Sequence, residues 1–207
     1  MLKFLQLTSL KMDWKAASTL FVTTLLIVID HYHGIFREKW MDHAFLYLAI
    51  PLLLVLLIYR QPLKEYGFRI GSWKAGLVFT FGGWIVLTVA MFFIAKTPDF
   101  QVYYGFNRED PAQLVFTNAM DLFGWEFVFR GLLLFTLLPI CGPYAIILQA
   151  IPFTIAHFGK PELETLSCIF GGTIYGYIAW RTRSFLYPFL IHWYLTTITI
   201  LFARSFV

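Results

Sequence analysis

The chain has 207 residues, of which 59% are hydrophobic, 20% aromatic and 14% charged, against roughly 25% charge in an ordinary soluble domain. This composition excludes a soluble globular enzyme and predicts an all-α, multi-pass transmembrane helical bundle of about seven spans. The net charge of +4 and pI of about 9.1 do not call for a nucleic-acid partner, because the basic residues sort by loop as the positive-inside rule describes.

The elements follow in chain order. Residues 1–15 form a mildly amphipathic, lysine-bearing lead suited to the membrane interface, with no pattern of a cleavable signal peptide. Residues 16–31 are the first span, ending in Asp30-His31-Tyr32-His33. A His-x-His pair can bind metal, but a span end rich in Tyr and His is the better reading. Residues 43–59 are the second span, with Pro51 inside, and residues 75–95 the third. Residues 112–140 form a fourth helix of roughly 43 Å at about 1.5 Å per residue. That exceeds a hydrocarbon core of about 30 Å, so tilt or projection is expected.

Cys141-Gly142-Pro143 reads as a tight turn, and a fifth helix runs on to His157. Gly159-Lys160-Pro161 is the next turn. Residues 163–180 are the sixth span, and Gly172-x-x-x-Gly176 gives it a face for close helix contact. Residues 184–202 are the seventh. The loop charges place the N-terminus inside. Residues 1–111 thus comprise N-terminal membrane helices and loops, and residues 112–207 a membrane core carrying the candidate chemistry, in one integral membrane domain. Cys141 and Cys168 make no disulfide framework.

The central stretch is residues 121–131, DLFGWEFVFRG. Glu126 and Arg130 stand four apart on one helix face and can pair. An ionisable residue at membrane depth costs roughly 2.5–3.5 kcal/mol on insertion scales, so its default reading is functional. Glu126 and His157 are equidistant from the Cys141-Gly142 turn, which puts them at one level of an antiparallel hairpin. His192 lies on the last helix, and Thr196, one turn on, shares its face. Each His alone suits a packing role as well as a site. With Glu126 they suggest one intramembrane cavity.

Two chemistries fit. A carboxylate and a His can activate water against an amide while His192 and Thr196 donate to the oxyanion. Alternatively, Glu126, His157 and His192 can hold a metal such as zinc, although the compact His-Glu-x-x-His helix is absent.

These residues resemble the CAAX prenyl protease and bacteriocin-processing family (CPBP or Abi), intramembrane glutamic endopeptidases. The Glu-Glu-x-x-x-Arg motif is matched from Glu126 through Arg130 and Gly131 in WEFVFRG. Phe-x-x-x-His is matched by FTIAH over 153–157, and His-x-x-x-Asn in part by HWYLT over 192–196. The resemblance covers residues 112–202. It implies metal-independent proteolysis in at least some members, with a Glu and a His activating water and no cofactor. It also implies a peptide or protein substrate, contact with membrane lipid, and the plasma membrane of a prokaryote as location.

Two departures stand out. Thr196 replaces Asn, and Trp125 replaces the first, catalytic Glu of the pair. Glu126 can then serve through a local helix rotation, or Asp121, one turn earlier on the face of Trp125, can supply the acid. A third possibility is that proteolysis has been lost and the fold kept. Glu162 and Glu164 are further carboxylates, better read as a dipole-matched helix start. The first reading is a CPBP-type endopeptidase in which Glu126 with His157 activates water. Arg130 orients and charge-balances Glu126, and His192 with Thr196 holds the oxyanion. The alternatives are a non-catalytic scaffold of the same fold and a metal-dependent hydrolase. A transporter is disfavoured by the lack of repeated halves.

Overall fold

Helix α1, Trp14–Tyr32, starts where Asp13 accepts hydrogen bonds from the backbone N–H groups of Lys15 (2.9 Å) and Ala16 (3.1 Å), which satisfies two of the orphan donors of the first turn. The computed structural model describes residues 13–207, so most of the amphipathic lead expected over 1–15 lies outside the described residues. Helix α2, Lys39–Tyr59, carries π-helical turns at Ala44–Ala49 and Leu54–Tyr59. They flank Pro51, which removes a helix donor and crowds the preceding turn. Helices α3, Trp73–Ile94, and α4, Pro98–Tyr104, follow.

Helix α5 covers residues 111–141 and is capped by Asp110, with Pro111 at its first position. Its middle, Phe127–Leu133, is π-helical. Gly142, at φ 55° and ψ −142°, ends it, in a conformation that a residue with a Cβ rarely adopts. Helix α6, residues 145–155, is followed by α7, Glu162–Thr182, and α8, Leu186–Ser205.

The fold is all-α among the described residues, but seven spans are not shown. Four stretches are long and apolar enough to cross a bilayer: Lys39–Tyr59, Trp73–Ile94, Pro111–Ile155 and Leu186–Ser205. The third doubles back at Gly142. The Trp125 ring lies 5.6 Å from that of His157, and the Arg130 guanidinium carbon 3.8 Å from the Phe153 ring centre. A straight helix would separate Trp125 from His157 by roughly 48 Å. The returning arm, α6, rises only about 16 Å, half a hydrocarbon core. The expected fifth span is therefore a short arm. Helices α1 and α7 have the length of a span, but Lys15 and Asp30 in α1, and Glu162, Glu164 and Arg181 in α7, dilute their apolar character.

Small residues set the spacing around the site. On α7, a Cβ at Gly172 would lie 2.9 Å from Phe153 Cδ1, and one at Gly176 2.5 Å from Gln149 Nε2. The expected close-contact face is thus where α6 packs. Gln149 Nε2 donates to the carbonyls of Ile146 (2.8 Å) and Gly172 (2.7 Å), which locks the arm in place. Helix α8 is held by Asn118 Nδ2 donating to Thr197 Oγ1 (3.2 Å) and Trp193 Nε1 donating to the carbonyl of Val115 (2.9 Å). Val78, Ile85, Val86 and Phe93 leave α3 with an exposed apolar face, as a lipid-facing helix requires.

Candidate active site

The site begins at the π-helical stretch of α5. A π turn carries more residues per turn than an α turn and changes the phase of the side chains around it. Glu126 and Arg130 frame its start, and both are fully enclosed. Arg130 Nη1 donates to Glu126 Oε1 at 3.0 Å. The guanidinium also lies over the rings of Phe153 (3.8 Å) and Tyr175 (5.2 Å), whose negative faces favour a cation.

The same Glu126 oxygen is 2.7 Å from His192 Nδ1. A carboxylate only accepts, so Nδ1–H is the donor, and the Nε2 edge of His192 turns toward open space. His157 is fixed in the same sense, because its Nδ1 lies 2.7 Å from the carbonyl of Phe153. That oxygen can only accept, which leaves Nε2 of His157 free. The two imidazoles stack 6.3 Å apart at 27°.

Two cavities meet at this pair. The larger, about 410 Å³, is lined by Asp121, Trp125, His157 and His192, with Asp30 and His43 on its other side. The smaller, about 150 Å³, is mostly apolar, with Leu163, Tyr175, Leu195 and Thr196 around the same two His. Glu126 lines neither cavity. Of the expected site residues, Glu126, Arg130 and His192 are directly bonded, and Asp121 and Thr196 face the two imidazoles from opposite cavities. The hairpin register brings residue 125 to the level of His157, but it is the Trp125 ring that meets His157, while Glu126 turns to His192.

Trp125 also stacks on His43 at 5.0 Å and 27°. His43 is buried, paired through Nδ1 with Asp121 Oδ1 and through Nε2 with Asp30, whose Oδ2 lies 3.2 Å away. Tyr47 donates to the same Asp30 oxygen at 3.2 Å, and Lys39 pairs with Asp30 as well. His43 is not among the residues expected at the site. Its only local signal was a polar residue at the start of an apolar helix. Glu164 accepts from Tyr104 Oη at 2.6 Å and pairs with Lys160 at 2.9 Å, a brace between α4 and the start of α7. Among the described residues, no three His, Cys, Asp or Glu side chains are grouped to hold a metal ion, and Glu126, His157 and His192 are not such a group.

Fold and site together define a polytopic helical membrane protein with ionisable groups around an internal cavity. Residues 107–198 match the sequence profile of the family described as Type II CAAX prenyl endopeptidase Rce1-like, so this segment is similar to that family. Comparison with curated proteins and with solved structures gave no significant match.

Proposed function

We propose that the protein is an intramembrane endopeptidase that hydrolyses a peptide bond with a water activated in the larger cavity. The observation that carries this reading is that Asp121, His157 and His192 line one cavity while Glu126 is sealed behind His192. Glu126 with His157 as the water-activating pair was the expectation from sequence. The geometry favours a different division of labour.

In this reading the water sits between the Asp121 carboxylate and Nε2 of His157. Asp121 takes a proton as the oxygen attacks the scissile carbonyl. Nε2–H of His192, in its charged form, donates to the developing oxyanion, and Thr196 Oγ donates from the other side. Glu126 holds the His192 ring by Nδ1 and balances that charge, as a carboxylate does behind an imidazole elsewhere. Arg130 fixes Glu126. The C–N bond then breaks, and Asp121 returns its proton to the leaving amine. The apolar smaller cavity suits a hydrophobic side chain of the substrate.

Trp125 favours a second reading, a non-catalytic scaffold that binds a peptide, because it stands where the family motif carries its first Glu. Cleavage assays on the full chain in liposomes separate the two. The substrates are a quenched peptide library that includes peptides with a lipidated C-terminal cysteine. The peptidase reading expects cleavage by wild type that is lost in His157→Ala with helical content retained. Equal rates in the two proteins would refute it, and binding of peptides without any cleavage would support the scaffold.

A further inference from the structure

The larger cavity has a second wall that no motif describes. It is built by α1 and α2, outside residues 107–198, and its centre is His43. Helix α2 approaches α5 closely at this level. A Cβ on Gly124 would lie 2.9 Å from the carbonyl oxygen of His43, so only glycine at 124 lets the two backbones meet there. The His43 ring is enclosed by Trp125 stacked on it, with Tyr47 edge-on at 5.0 Å.

Nε2 of His43 is hydrogen-bonded to Asp30 at 3.2 Å, and Nδ1 is in ion-pair contact with Asp121 Oδ1 without being aligned as a hydrogen bond. Asp30 is itself tied to Tyr47 and Lys39. Asp121 Oδ1 is buried against the ring, while the side chain keeps 23% of its surface exposed, where it lines the cavity. One oxygen therefore packs against the imidazole from behind, and the rest of the carboxyl lines the cavity that His157 and His192 share.

We propose that His43, anchored by Asp30, is a positioning residue for Asp121 in the hydrolytic reaction, supplied by the N-terminal helices from outside the family-matching segment. This rests on the peptidase reading with Asp121 as its acid. Orientation of a reacting group matters because a misplacement of about 1 Å can cost on the order of 10²-fold in rate. Asp121 stands one turn from the position of the missing motif Glu, on a side chain shorter than Glu. A fixed partner behind it restricts the angle at which its free oxygen meets a water. Trp125, in place of that Glu, stacks on the His43 ring and limits its movement.

The test compares kcat and KM of the full chain in liposomes, using any peptide that wild type cleaves. His43→Asn keeps a polar N–H donor beside Asp121, and His43→Leu removes it. His43→Leu is expected to lower kcat about 10²-fold, the scale of a general base that is lost, with KM changed less than about threefold. His43→Asn is expected to stay within about tenfold of wild type. In an Asp121→Asn background, His43→Leu is expected to add nothing, because the group it positions is gone.

Equal losses in His43→Leu and His43→Asn, or losses that multiply with Asp121→Asn, would overturn the inference and leave His43 as packing. Where His43→Leu fails to fold, Asp30→Asn decides. A fall in kcat of about tenfold at constant KM supports the inference, and wild-type kcat overturns it. Failure of wild type to cleave any peptide would defeat the peptidase reading and this inference with it. Cleavage by wild type and undiminished cleavage by every His43 and Asp30 variant would defeat the inference alone.

Discussion

Glu126 and His192 are 66 residues apart in sequence and share a 2.7 Å hydrogen bond in the enclosed centre of the protein. The bond joins α5 to α8 and sets which edge of the His192 ring faces the cavities. Arg130 completes the unit from one turn further along α5. A carboxylate, a guanidinium and an imidazole are thereby held together where each alone would be costly at membrane depth.

Removing one member of that unit should be felt as stability. Arg130→Met removes the permanent cation from the buried Glu126 carboxylate and leaves it only His192, and a loss of about 3–5 kcal/mol is expected for a broken buried pair. Glu126→Gln should destabilise in the same direction, since Arg130 then lacks its counter-charge. Detergent-solubilised protein should show both as lowered melting temperatures. A double variant, Glu126→Leu with Arg130→Met, should recover much of the loss, and melting curves of the three proteins check this.

Trp125 is placed between His43 and His157. A carboxylate introduced there would stand between the same two imidazoles. Trp125→Glu is therefore expected to restore cleavage to a protein inactivated by Asp121→Asn, to at least about a tenth of the wild-type rate, within the range a positioned acid or base contributes. It should also cost about 3–5 kcal/mol, as loss of a buried large aromatic does. Peptide cleavage by the double variant, read beside its melting temperature, tests both parts.

Gly124 lets α2 lie against α5. Gly124→Ala would force its methyl to within 2.9 Å of the His43 carbonyl and 3.1 Å of Leu48. Backbone atoms cannot yield as side chains do, so about 1–3 kcal/mol of destabilisation is expected. Since His43 must move, kcat should fall as well. Gly82 has open space around it, and Gly82→Ala should leave both stability and rate close to wild type.

Thr196 lines the smaller cavity with His157 and His192. Thr196→Val keeps the shape and removes the hydroxyl. A lost oxyanion donor costs on the order of 10²-fold in kcat. Thr196→Ser and Thr196→Asn should retain most of the rate, because each keeps a donor. Steady-state kinetics of the three variants give the answer.

Much of this arrangement is visible in the sequence for stated reasons. Gly142 marks the reversal of α5, and equal spacing on either side brings Trp125 against His157 and Arg130 against Phe153. The small-residue pattern at Gly172 and Gly176 announces the packing of α6. Other features leave no local trace. The π-helical stretch at 127–133 lies in a run that is apolar on every side, so no periodicity shows its change of phase. Which of Trp125 and Glu126 faces His157 depends on that phase. Hydropathy along the chain does not show that the apolar run at residues 145–155 forms only a short arm, which depends on where the helix starts and ends. His43 and Asp30 join Asp121 only through the packing of α1 and α2 on α5, a long-range relationship that spacing along the chain does not encode.

The most direct test of the account is the cleavage rate of Asp121→Asn against that of wild type, on one cleaved peptide, with the full chain folded in liposomes. With Asp121 as the acid, kcat should fall about 10²-fold or more, with KM and melting temperature close to wild type. Wild-type kcat in Asp121→Asn would contradict it and return the search for the acid to Glu126.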